Sequence, residues 1–105
     1  MSTKNALVQS IRIRFDHEAA KQTLKEKYEA KMLFAAFDGM WKAGPKLLST
    51  LAILRSRDLV EAVIVDEYGN PCKVNVSRLE TEATERWQEQ MNAWILEFEE
   101  LQRQR

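Results

Sequence analysis

Apolar residues recur through the last 29 residues, Ser77 to Arg105, at steps of four, four, four, three, four and three. The positions are Leu79, Ala83, Trp87, Met91, Trp94, Phe98 and Leu101. That period places them on one face of a single amphipathic helix, a face that must be buried against the chain's own core or a partner. Ser77 followed by Glu80 is a capping-box pattern and marks the start of this helix. Glu80, Glu82 and Glu85 suit its first turns and Arg103 and Arg105 its last, as the helix dipole favours.

Upstream the pattern changes three times. Leu7 to Phe15 ends in strict alternation, with Ile11, Ile13 and Phe15 on one side and Arg12 and Arg14 on the other. This predicts a half-buried strand. Asp16 then caps a helix running from His17 to about Asp38, with Ala20, Leu24, Tyr28, Met32 and Ala35 at helical spacing. Gly39 suits the position after that helix and Pro45 the first turn of a shorter one, Lys46 to Leu54. Met40 and Trp41 fall on the connection between them. Leu59 to Asp66 is β-branched and Cys72 to Val76 alternates, so the turn around Gly69-Asn70-Pro71 predicts an antiparallel hairpin. Pro71 has no N–H and belongs at the first position of the returning strand or on an edge.

The expected fold is therefore α+β in the order β-α-α-β-β-α. It is a single domain, residues 1–105, in which the first and last helices cover a small antiparallel sheet. A terminal helix of about 42 Å exceeds the roughly 17–30 Å of such strands. Part of it is expected to overhang the body and meet a partner.

Composition narrows the class without naming a chemistry. The chain has 105 residues, 45% apolar and 30% charged, as an ordinary folded domain has. No run approaches membrane-spanning length, and Met-Ser-Thr-Lys-Asn lacks the apolar core of a secretory leader. A cytoplasmic location, or assembly from a cytoplasmic pool, is expected. Net charge is zero but polarised. Residues 1–57 hold 11 Lys and Arg against 5 Asp and Glu, a charge of +6; residues 58–105 hold 5 against 11, a charge of −6. The two halves either neutralise each other on packing or give the protomer a basic and an acidic side, suited to head-to-tail association or to an acidic partner.

Catalytic patterns are lacking. One His and one Cys make neither a zinc site nor a convincing nucleophilic pair, and no orienting third group is suggested. His17 is expected to be an exposed helix residue and Cys72 a small buried hydrophobe. Gly39, Gly44 and Gly69 are isolated, so there is no phosphate-cradling loop. The paired carboxylates Glu99–Glu100 and Glu80–Glu82 are expected on a solvated helix surface, without the buried environment that acid catalysis needs. No enzyme activity, cofactor, metal or small-molecule substrate is expected. Basic residues of the first half with Trp41 or Phe37 could track a nucleic acid, but acidic residues are interleaved with the lysines.

The stretch Asp66-Glu-Tyr-Gly-Asn-Pro-Cys-Lys-Val-Asn-Val-Ser-Arg-Leu-Glu80, continuing to Trp94, resembles small proteins encoded by large tailed bacteriophages. In these a turn with Asn-Pro and a Lys-Val-Asn strand lead into a long charged helix. The resemblance covers residues 59–105 and transfers no site residue. It implies a virion component, an assembly factor or an inhibitor of a host protein.

The expected function is thus a non-enzymatic protein–protein interaction protein, a phage structural or assembly component acting as an oligomer. Its expected contact residues are Trp87, Met91, Trp94, Phe98 and Leu101, with Arg12 and Arg14 as polar contacts. Two alternatives stand beside it. One is an inhibitor docking its acidic half on a host protein; the other is a nucleic-acid-binding accessory protein using the basic half.

Overall fold

A computed structural model describes residues 3–104, with side chains from Val8 onward apart from position 10. The expectations for Met1, Ser2 and Arg105 lie outside the described residues. Seven elements follow in order: α1 (Thr3–Lys31), β1 (Leu33–Ala36), β2 (Gly39–Lys42), α2 (Pro45–Ser56), β3 (Glu61–Val65), β4 (Pro71–Asn75) and α3 (Val76–Arg103). The protein mixes helix and strand as expected, and its long C-terminal helix, its Pro45 helix and its β3–β4 hairpin match the sequence pattern. Pro71 opens β4, paired with Val65, where its missing N–H matters least.

Three expectations are corrected. Residues Leu7 to Phe15 form no strand; they continue α1, which is helical from Thr3. The segment projects away from both two-stranded sheets, and as a helix it satisfies its own backbone. Second, the His17 helix does not reach Asp38. It ends at Lys31, and Leu33 to Lys42 folds back as a hairpin, pairing Phe34 with Trp41 and Ala36 with Gly39. One expected sheet is therefore two. Third, α3 is capped by Asn75 and not by Ser77: Asn75 Oδ1 accepts from Arg78 N at 3.1 Å and from Ser77 Oγ at 3.1 Å. Because β4 runs straight into the helix, the cap moves to the last strand residue.

The elements form a head and a stalk. In the head, α2, both hairpins and the first turns of α3 enclose a core of Met32, Phe34, Trp41, Leu51, Val74, Val76 and Leu79. Trp41, only 2% exposed, sits near its centre, and its indole N–H donates to Ala36 O at 2.7 Å. Asp66 ties the hairpins together. Its Oδ2 accepts from Met40 N at 3.0 Å, and its Oδ1 from Tyr68 N at 3.0 Å and Asn70 N at 2.9 Å. Glu67 N donates to Met40 O at 2.8 Å beside them. The approach is close enough that a Cβ on Gly39 would lie 2.9 Å from Cys72 Sγ and 3.2 Å from Asp66 Cβ.

In the stalk, α1 and the second half of α3 run antiparallel. Tyr28 stacks on Trp94 with ring centroids 5.9 Å apart, and Lys27 Nζ meets Glu97 Oε1 at 2.8 Å. The whole measures 69 × 24 × 20 Å.

Candidate interaction surfaces

The helix expected to overhang is largely covered. Trp87 and Met91 pack against the core, Trp94 lies on Tyr28, and Phe98 and Leu101 continue the same face half-buried. Its cover is the part of α1 from about residue 17 to Lys31, which was expected to be helical but to lie on the sheet, and which packs on α3 instead. The polarised charge is also partly used within the chain, where Lys27–Glu97 and Arg55–Glu80 join the basic half to the acidic half. Glu97 is held below the usual carboxylate range, chiefly by its hydrogen bond from Lys27.

The overhang belongs to α1 instead. Counting back along antiparallel helices from the Tyr28–Trp94 contact places Arg103 beside about residue 19. Burial agrees: His17 is half-buried, and every described side chain from Val8 to Asp16 is exposed. Residues 3–16, about 21 Å of helix at 1.5 Å per residue, thus project past the end of α3. Val8 is 49% exposed, Ile11 59% and Phe15 74%. At 3.6 residues per turn these three share one face, flanked on one side by Arg12 and on the other by Arg14. Neither arginine pairs with a carboxylate among the described residues. Ile13 lies on the opposite side, continuing the face that packs on α3. Of the expected contact residues, Arg12 and Arg14 are therefore in the open, and they are brought together with Val8, Ile11 and Phe15. The i, i+3, i+7 spacing of that trio was legible in the sequence, but the alternation of Ile11, Ile13 and Phe15 competed with it.

A second surface is concave. A groove of about 810 Å³ opens where α1, α2, α3 and the β3–β4 turn meet. Its floor includes Met32, Trp41, Trp87, Met91 and Trp94; its margins include Glu29, Lys42, Lys46, Thr50 and Glu67. All three tryptophans of the chain line it. Trp87, Met91 and Trp94, expected at a contact, are thus partly core and partly groove wall. Sequence reasoning missed the groove, since its walls come from segments far apart in the chain.

Chemistry is sparse. Among the described residues no group of three or more His, Cys, Asp or Glu gathers as a metal site. Cys72 is buried, and burial pushes its thiol pKa up, away from the reactive thiolate. His17 is not in a first turn but in mid-helix, with Nε2 buried and unpartnered. Among the described residues no helix is long and apolar enough to cross a membrane. No family model, curated protein or solved structure matches the chain.

Proposed function

We propose that this is a non-enzymatic protein–protein interaction protein that joins an assembly through the projecting end of α1. The observation that carries this is the overhang, which holds Val8, Ile11 and Phe15 exposed to water past the end of α3. An isolated helix of this length is marginal in water and is normally stabilised by packing an apolar face. An exposed apolar patch rimmed by two arginines is the composition of a contact surface. The resemblance of residues 59–105 to small tailed-phage proteins supports a virion or its assembly as the setting of this proposal.

The test is the native mass of a tagged chain in extracts of its source cells. The wild type should migrate well above monomer. The double variant Ile11→Asp/Phe15→Asp should migrate as monomer, yet melt within about 2 °C of wild type, because exposed sites away from packing contribute little to stability. A wild type that is monomeric in the extract, or a variant that stays in the complex, overturns the proposal.

A further inference from the structure

We infer that the occupant of the tryptophan-lined groove is the α1 overhang of a second copy of this chain. The inference rests on the proposed function and names the partner. A convex apolar stripe and a concave apolar groove occur on the same protein, and one chain cannot join them. Phe15 stands 14 residues from Glu29 at the groove margin, about 21 Å along a continuous helix that leads away from it. Only another molecule can bring them together.

The two surfaces match in kind. Val8, Ile11 and Phe15 present the i, i+3, i+7 anchors with which an amphipathic helix fills an apolar groove. The groove offers aromatic and thioether walls, Trp87, Trp94 and Met91, which adapt to such anchors. Charges match as well. Arg12 and Arg14 flank the stripe, and the margin carries the exposed carboxylates of Glu29 and Glu67. Asp16 and Glu18 follow Phe15, and the margin also carries the exposed ammonium groups of Lys42 and Lys46.

Other pairings fit less well. Packing two overhangs about a twofold axis through the stripe would set Arg12 against the second copy's Arg12. The outer face of α3 is acidic, but its only large exposed apolar residues are Ile95 and Leu96. Because stripe and groove are different surfaces, the contact is heterologous. Copies either exchange overhangs reciprocally in a closed pair or continue head to tail.

The experiment uses three full-length purified proteins: wild type, the stripe variant Ile11→Asp/Phe15→Asp, and the groove variant Thr50→Arg/Glu67→Arg. Both groove-margin residues are exposed, so the head should stay folded, which circular dichroism and a thermal melt check. Wild type should show a mass that rises with concentration by light scattering, with tryptophan emission shifting to the blue as the groove fills. Each variant alone should weaken association at least tenfold. An equimolar mixture should recover the heterodimer and the emission shift, since each variant retains the surface the other lacks. Loss of association in the stripe variant alone would assign the overhang to self-pairing and overturn the inference. So would a mixture that stays monomeric. A purified wild type that is monomeric throughout, while heavy in the cell extract, would overturn the inference and leave the proposed function standing.

Discussion

At the residue scale the head depends on one carboxylate. Asp66 is buried and accepts three backbone N–H groups from two hairpins that share no ladder, so it substitutes for the strand pairing that is missing between them. Those donors, Met40 first, hold its pKa below the ordinary carboxylate value. A depressed folded-state pKa contributes stability that is complete above the unfolded value of about 3.9 and is lost as pH falls through the lower folded value. Asp66→Asn would place an amide N–H₂ against Met40 N–H, donor to donor. It should lower the melting temperature at pH 7 by at least about 5 °C, and the gap to wild type should narrow below about pH 4. An unchanged melt at pH 7 would show that the carboxylate does not hold the hairpins together. Gly39 is the second sensitive position. Its Cβ position is already within 2.9–3.2 Å of Cys72, Trp41 and Asp66, so Gly39→Ala should cost about 1–3 kcal/mol by urea denaturation. The β1–β2 turn shows why this part was not legible. Phe37 and Asp38 have φ of 49° and 58°, the left-handed pair of a type I′ hairpin turn. That turn is ordinarily signalled by Asn-Gly, and a Phe-Asp pair after an apolar run gives no such signal.

At the element scale the antiparallel pairing of α1 and α3 makes the stalk. Tyr28 is the α1 residue most enclosed there, 3% exposed and stacked on Trp94, with Lys27 and Lys31 within 5.3 Å of its ring centroid. Tyr28→Ala should cost about 3 kcal/mol and should speed amide exchange in α1 more than in the head. Uniform loosening of both parts would mean that stalk and head open as one unit. The start of α3 gives a sharper contrast. Asn75→Ala removes the observed cap and should cost about 1 kcal/mol, whereas Ser77→Ala should cost a few tenths. The reverse order would restore Ser77 as the cap. The sequence contained both candidates two residues apart, and only the run of β4 to Asn75 chose between them.

At the scale of the whole molecule the shape is the finding that bears on function. The Cα radius of gyration is 19.9 Å, against about 13 Å for a compact domain of this length. Small-angle scattering from the monomeric stripe variant should return a value near 20 Å; one near 13 Å would mean that the stalk folds back on the head. The elongated protomer has a projecting apolar end and, where stalk meets head, a groove, the two surfaces on which the proposed self-association rests.

The sequence alone determined whatever a local pattern specifies without rivals. The terminal amphipathic helix has a sustained helical period, the β3–β4 hairpin combines β-branched runs with a Gly-Asn-Pro turn, and α2 starts at a proline. The tertiary structure decided the segments whose local pattern fits two states. Residues 7–15 alternate like a strand and also carry Val8, Ile11 and Phe15 at helical spacing. With helix propagating outward from α1, the backbone satisfies its hydrogen bonds within the segment itself. That choice carried α1 past the end of α3 and put the unburied apolar surface at the other end of the chain. Packing of distant segments, in turn, assembled the groove from residues that no local reading could bring together.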